Sequence, residues 1–102
     1  MITWREFALW RVGVAHALDG GLWLHRFALY GEPWAHLVSA DRTALVAAGR
    51  LLDLPESWLQ YRPLRDPRSR KRVDAWHWDL RRDRLARALA LAAPKVPYRS
   101  TL

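Results

Sequence analysis

The chain contains no cysteine, and this absence excludes three kinds of chemistry at once. A disulfide framework, a thiolate zinc site and a cysteine nucleophile are all ruled out. Lysine is also scarce, because fifteen of the seventeen basic residues are arginine. No uncharged run approaches the length of a membrane span, which predicts a soluble cytoplasmic protein without membrane contact.

Familiar catalytic and nucleotide-binding motifs are missing as well. The chain holds no Gly-x-Ser-x-Gly nucleophile elbow, no phosphate-binding Walker loop, no dinucleotide fingerprint and no fixed-period repeat. At 102 residues it fits one domain, residues 1–102, whose core is large enough to fold without metal or disulfide support. The fold class therefore has to be inferred from the hydrophobic pattern.

That pattern predicts alternating strands and helices. The opening residues favour a strand, although the stretch EFALWRV is also compatible with a helix. Further strands are predicted at 22–30, 34–40 and 73–80, and helices at 42–54 and 81–94, with 95–102 forming an edge strand or fraying. This order predicts an α/β fold, a small single-domain sandwich with a short sheet and two main helices.

The helix ends carry capping and stop signals. Ser39 or Asp41 is placed to cap the first helix and Asp79 the second, which Pro94 would end. A strand, a helix and a further strand in this order favour a right-handed crossover. We therefore predict that the strands before and after the first helix pair in parallel.

Positive charge is concentrated in the second half of the chain. The net charge is +7, and residues 52–102 hold twelve basic and six acidic groups, against five and four in residues 1–51. Within the second half, 62–72 (RPLRDPRSRKR) is predicted to be an exposed basic loop. Its arginines and those that open the last helix would either bind phosphate or form an ordinary solvated face. The candidate phosphate-binding residues are Arg68, Arg70, Lys71, Arg72, Arg81 and Arg84.

The heptapeptide DAWHWDL places a histidine and an aspartate at alternate positions. Alternate strand residues share a face, so His77 and Asp79 point one way and Trp76 and Trp78 the other. By the same rule, His36 lies on one side of its own strand. If the two strands are neighbours, His36 approaches His77 and Asp79.

Three interpretations of His36, His77 and Asp79 stay open. As catalytic residues they would serve as general acid, base and orienting group in phosphoester or acyl chemistry, since histidine titrates near neutral pH. They equally offer nitrogen and oxygen ligands to a divalent ion. In the third interpretation Asp79 caps the helix and His77 donates to a backbone carbonyl, with no substrate involved. The sequence identifies no cofactor.

Other polar and aromatic residues carry weaker signals. Ser39 is a nucleophile only if a histidine lies within hydrogen-bond reach, and helix capping is the simpler role. His16 and His25 are predicted to be ordinary structural or surface residues. Seven tryptophans exceed what a small core can bury, so one or two should line a pocket or meet a partner. The candidates for stacking on a base are Trp58, Trp76 and Trp78, although core packing is the favoured role for each of them.

A family resemblance extends over residues 31–96. It rests on two stretches, GEPWAHLVSADRTALVAAGRLLDLPESWLQ and HWDLRRDRLARALALAA, which resemble the small bacterial family known as domain of unknown function 4031. The matching positions are Trp34, His36, Leu37, Ser39, Leu45, Leu54, Pro55, Trp58, Gln60, His77, Trp78, Asp79 and Arg84. The chain departs from the family pattern at Ala40, at Asp53, in its longer lead-in and in the basic loop. The resemblance implies no established activity, but it singles out the two histidine segments.

We therefore predict a basic α/β domain that binds a phosphate-bearing partner, either nucleic acid or a nucleotide. A hydrolase-type pocket of histidines and an aspartate would lie beside the basic surface. The alternative is a non-enzymatic protein-interaction module, or a subunit of a larger assembly, which docks through surplus aromatic and arginine side chains. A homodimer formed through the N-terminal segment is a further alternative.

Overall fold

The chain adopts the α/β fold that the sequence predicts, and the computed structural model describes residues 2–96 of it. The strands are β1 (Arg5–Phe7), β2 (Trp23–Leu29), β3 (Glu32–Ser39), β4 (Gln60–Tyr61), β5 (Leu64–Arg65), β6 (Arg72–Val73), β7 (Trp76–Arg81) and β8 (Ala93–Val96). The helices are α1 (Trp10–Leu18), α2 (Arg42–Leu51) and α3 (Arg82–Leu91), with a 3-10 turn at Glu56–Trp58. Helix α1 is an addition to the two helices predicted.

Six strands form one mixed sheet in the order β4-β7-β3-β2-β1-β8. Neighbours are antiparallel from β4 to β2, whereas β2, β1 and β8 run parallel. Strands β5 and β6 form a separate two-stranded sheet, which we call the basic hairpin. Helices α2 and α3 pack on one face of the main sheet, and α1 packs on the other.

The predicted parallel pairing of the strands on either side of the first helix is wrong, because β3 and β7 are antiparallel. The chain leaves β3, passes through α2 and enters β4 at the edge of the sheet. One strand position, later filled by β7, separates β4 from β3. The basic hairpin then turns the chain back, so that β7 fills the gap between β4 and β3 in the opposite direction. The parallel crossover therefore joins β3 to β4 and leaves room for β7.

Two buried tryptophans tie α2 and α3 to the sheet. Trp78 of β7 is 1% exposed, and its indole nitrogen donates to the Leu45 carbonyl of α2 at 2.8 Å. Trp4 is equally buried and donates to the Ala88 carbonyl of α3 at 2.7 Å. A Cβ at Gly49 would overlap the Trp78 ring, so this glycine lets α2 approach the sheet closely. The larger core lies between these two helices and the sheet.

Helix α1 covers only one end of the opposite face. Its residues Val14 and Ala17 pack on Trp23 and Val38, where β2 begins and β3 ends. Apolar residues at helical spacing explain why the chain is helical from Trp10, the alternative to a strand that the sequence EFALWRV left open. The rest of this sheet face remains available for a site.

The start of α2 follows the sequence prediction. Asp41 Oδ1 accepts a hydrogen bond from the Ala44 backbone nitrogen at 3.0 Å, which confirms Asp41 as the cap. Ser39 Oγ instead accepts from the Asp41 nitrogen at 2.9 Å and supports the turn before the helix. Its side chain is fully buried, so the structure does not support a nucleophilic Ser39.

Beyond α3 the chain adds an edge strand. Strand β8 pairs in parallel with β1 and begins at Ala93, before the predicted stretch 95–102. Pro94 lies within this strand, where an edge position tolerates a proline. Residues 97–102 of that prediction lie outside the described residues. Within residues 2–96, none of the helices is long and apolar enough to cross a bilayer.

The β2–β3 hairpin contains a residue in an unfavourable backbone conformation. Tyr30 and Gly31 form its two-residue turn with φ of 52° and 75°, and Tyr30 is 99% exposed. Two-residue turns of this kind favour asparagine at the first position. We expect Tyr30→Asn to stabilise the domain by about 0.5–1 kcal/mol, measured by urea unfolding. Tyr30→Phe keeps the backbone preference and should change nothing; a loss of stability in Tyr30→Asn would contradict the prediction.

Candidate active site

His36, His77 and Asp79 meet on the sheet face that carries α1. In the antiparallel pairing of β3 with β7, His36 lies opposite Asp79 and Val38 opposite His77. His36 Nε2 lies 3.1 Å from Asp79 Oδ1, and His77 Nε2 lies 3.3 Å from the same oxygen. The two imidazole rings are stacked with centroids 4.3 Å apart. The structure thus brings together the three candidate catalytic residues.

The second oxygen of the Asp79 carboxylate is held by the edge strand. Gln60 pairs with His77 between β4 and β7, and its Nε2 donates to Asp79 Oδ2 at 2.9 Å. This hydrogen bond leaves Oδ1 to face both imidazoles. Because Asp79 lies inside β7, it does not cap α3: the cap position belongs to Arg81, and the capping prediction is wrong.

A cavity of about 400 Å³ opens in front of the cluster, a size typical of small-ligand sites. Trp10 of α1 lines one part of it, and Arg62 and Leu64 at the base of the basic hairpin line another. The side chain of His36 is 34% exposed and that of His77 only 9%. A ligand therefore reaches the cluster mainly from the His36 side.

Burial favours the neutral form of both imidazoles by lowering the pKa of each. It holds the pKa of His36 below its ordinary value, and the nearby His77 lowers that pKa further against the opposing effect of Asp79. Burial also lowers the pKa of His77, again against Asp79. The positive charge of Arg62 acts in the same direction as burial on both histidines. Neutral imidazoles have a free lone pair, which metal ligation and general-base catalysis both need.

The two nitrogen–oxygen distances in the cluster match those between metal ligands. One nitrogen or oxygen from each of His36, His77 and Asp79 lies within 4.8 Å of the others. Ligands bound at 2.0–2.2 Å in tetrahedral or octahedral geometry are separated by roughly 2.8–3.6 Å. The observed nitrogen–oxygen distances of 3.1 and 3.3 Å fall within that range. The same residues also lie within hydrogen-bond reach for acid–base chemistry.

The predicted basic loop is mostly exposed, and it is ordered as the basic hairpin. Its residue Arg68 donates to both oxygens of Asp19, at 3.0 and 2.9 Å, and to Asp66 at 3.0 Å. These bonds hold the hairpin against the end of α1 and occupy the Arg68 guanidinium. Among residues 2–96, no ion pair involves the remaining predicted phosphate ligands of the hairpin, which are Arg70, Lys71 and Arg72.

The two other predicted phosphate-binding arginines lie at the opposite end of β7. Arg81 pairs with Glu32 at 3.6 Å, and its guanidinium carbon lies 4.9 Å from the Trp34 ring centroid. Arg84 donates to the Asp53 carbonyl at 3.1 Å. Both line a separate cavity of about 480 Å³, away from the histidines. The six basic residues therefore do not form one phosphate site.

Sequence reasoning missed several residues of this pocket. His25, taken to be an ordinary residue, lies opposite His36 in the β2–β3 hairpin and lines the cavity. The signal that would have found it is the two-residue turn at Tyr30 and Gly31, which fixes this pairing. Gln60 appears in the sequence analysis only among the positions that match the family. Its strand β4 has two residues, which are too few for strand alternation to predict the face on which Gln60 lies.

The three tryptophans proposed from the sequence for base stacking, Trp58, Trp76 and Trp78, differ in solvent accessibility. Trp78 is 1% exposed, which confirms core packing, the favoured prediction, and excludes base stacking. Trp76 packs partly buried against the same core. Trp58 is 53% exposed beside Arg84 of α3, and it lines a cavity of about 220 Å³ together with Trp34, Gln60 and Asp79. The exposed tryptophan at the cavity in front of the histidines is Trp10.

Comparison with known proteins found no matching family model, no significantly similar curated protein and no significantly similar solved structure. The resemblance to the family of domain of unknown function 4031 stays a prediction. The case for function therefore depends on the geometry of the pocket.

Proposed function

We propose that this domain is a divalent-metal-dependent hydrolase of phosphate esters, with the ion bound by His36, His77 and Asp79. The observation that carries the proposal is the convergence of both Nε2 atoms on one carboxylate oxygen in an open cavity. Three protein ligands of types N, N and O, with further positions left for water or substrate, are typical of catalytic rather than structural metal sites.

The orientation of the two histidines favours metal ligation over simple acid–base catalysis. In an acid–base arrangement, one histidine is typically oriented by the carboxylate while the other group faces substrate. Here His36 and His77 both direct Nε2 at Asp79 Oδ1. Gln60, which holds Oδ2, acts as the outer hydrogen bond that commonly fixes a ligating carboxylate.

The charges around the cavity favour a phosphate ester as substrate. Arg62 lines the cavity, and Arg70, Lys71 and Arg72 of the basic hairpin form no ion pair within residues 2–96. A cavity with positive charge at its rim concentrates anionic ligands. A bound divalent ion would supply Lewis acidity and activate a water molecule. In the hydrolysis, a water oxygen would form a new bond to phosphorus, the bond to the leaving alcohol would break, and one proton from water would pass to that alcohol.

The proposed phosphate esters are nucleotides or nucleic acids, because the sequence analysis predicts a cytoplasmic protein that binds one of these two partners. A non-enzymatic interaction module or a homodimer stays the alternative prediction. Those alternatives require no metal affinity, so metal binding separates them from the proposal.

The test uses the full chain after removal of divalent ions by chelator. We expect Zn²⁺ or Mn²⁺ to bind in a single-site calorimetric titration and to raise the hydrolysis rate of bis(4-nitrophenyl) phosphate at least about tenfold. Excess chelator should return the rate to background. His16→Gln, which alters a histidine outside the cluster, serves as the matched control. Absence of binding heat, or equal hydrolysis with chelator present, would overturn the proposal.

A further inference from the structure

A row of aromatic rings extends from the cluster of His36, His77 and Asp79 along the part of the sheet face that α1 does not cover. We define the aromatic strip as Trp10, His25, Phe27 and Trp34. Its successive ring centroids lie 4.8, 6.2 and 6.4 Å apart, and the last two pairs are stacked. Phe27 also lies 4.6 Å from the ring of His36, so the strip is continuous with the cluster.

The register of the hairpin explains why these rings share a face. His25 and Phe27 alternate along β2, and Phe27 lies opposite Trp34 of β3. Helix α1 contributes Trp10, which is 59% exposed, while the three strand residues are each partly exposed. The strip therefore presents ring surface to a ligand, unlike the buried Trp78.

Positive charge lies at both ends of the strip. Arg62 lines the cavity beside the cluster, and the guanidinium of Arg81 lies over the Trp34 ring. This contact is a cation–π interaction, and a base that stacks on that face of Trp34 takes the place of the Arg81 guanidinium. Glu32, at the outer end, is paired with Arg81 and Arg82. Aromatic surface flanked by cations matches a ligand with flat bases and an anionic backbone.

We propose that the aromatic strip is a stacking platform for single-stranded nucleic acid, with the backbone phosphate next to the bases directed at His36, His77 and Asp79. This assignment names the substrate class of the proposed function and, for cleavage, rests on it. A duplex does not suit the strip, because its bases are already stacked on each other. A mononucleotide would use only part of it, since the rings extend over several base widths.

Binding is tested separately from metal chemistry. A fluorescein-labelled single-stranded dodecathymidylate is titrated with the full chain in chelator, and anisotropy is followed at about 50 and about 200 mM salt. We expect affinity to fall with salt, because phosphate contacts release counterions. We expect Trp10→Ala and Phe27→Ala each to weaken binding about 5- to 100-fold, the range for loss of one stacked base.

Leu51→Ala is the matched control. It removes a large apolar side chain that is 45% exposed, but one that lies on α2, which packs on the opposite face of the sheet. Its affinity should stay within about twofold of the original protein, since no stacked base is lost. Phe27→Leu keeps an apolar side chain without the ring, so it tests stacking even if Phe27→Ala fails to fold.

Several outcomes would overturn the stacking assignment. They are unchanged affinity in Trp10→Ala and Phe27→Leu, an equal loss in Leu51→Ala, or a duplex or thymidine monophosphate that binds as tightly as the oligonucleotide. Light scattering that detects a dimer in the original protein and a monomer in Trp10→Ala would instead identify the strip as a protein interface. Metal binding without oligonucleotide binding refutes this assignment alone; oligonucleotide binding without metal binding refutes only the proposed hydrolase.

Discussion

Asp79→Asn is expected to lower the affinity of the protein for a divalent ion by at least about 100-fold, as measured by calorimetry. Asparagine keeps the size of the side chain and one carbonyl oxygen, but it removes the negative charge that offsets the charge of the ion. The Asp79 oxygen is the one atom that both His36 and His77 approach, at 3.1 and 3.3 Å. Replacing the carboxylate of Asp79 therefore weakens the ligand that lies between the two histidines.

A second substitution distinguishes the residues that would bind the ion from the residue that positions one of them. Gln60→Leu leaves the three ligands intact and removes the hydrogen bond to Asp79 Oδ2, so affinity should fall by about 10- to 100-fold, as for other outer hydrogen bonds to ligands. The matched control is Asp74→Asn, because Asp74 accepts from Tyr61 and lies outside the cluster. Equal affinities in Asp79→Asn and Asp74→Asn would contradict the assigned ligand set.

The local part of the site was predictable because strand alternation depends only on neighbouring residues. His77 and Asp79 fall on one face and Trp78 on the other whatever the partners of β7 are. The approach of His36 was a conditional prediction, since it required β3 and β7 to be adjacent. Adjacency holds, although in the antiparallel direction. Direction does not alter which face a side chain occupies, so this part of the prediction survived the wrong topology.

The errors concern long-range order, which local patterns do not encode. Strand β4 has two residues, too few for a recognisable alternation, and its presence at the sheet edge allows β7 to run antiparallel to β3. The same strand brings Gln60 to Asp79, which lies inside β7 two residues before the cap position of α3. Composition predicts the exposed basic loop, but the pairing of its ends as β5 and β6 and the engagement of Arg68 by Asp19 depend on contacts that composition does not encode.

The largest effect on stability is expected from Trp78→Ala, at about 3–5 kcal/mol in urea unfolding. Trp78 is 1% exposed, fills the space next to Gly49 and donates to the Leu45 carbonyl. Its removal leaves a cavity between β7 and α2 and deletes a buried hydrogen bond. Trp58→Ala, which alters an exposed tryptophan, should cost less than about 1 kcal/mol. A cost below about 1.5 kcal/mol in Trp78→Ala would contradict the assigned role of Trp78 in the core.

This substitution also tests how the core supports the site, because Trp78 stands between two of the proposed ligands in β7. An ion that binds only the folded protein stabilises it by about 2.7 kcal/mol at one hundred times its dissociation constant. Saturating ion should therefore restore much of the stability lost in Trp78→Ala. The double variant Trp78→Ala with Asp79→Asn should gain far less at the same ion concentration. Equal recovery in both would mean that the ion binds elsewhere, because only the intact ligand set couples metal binding to the packing of β7 against α2.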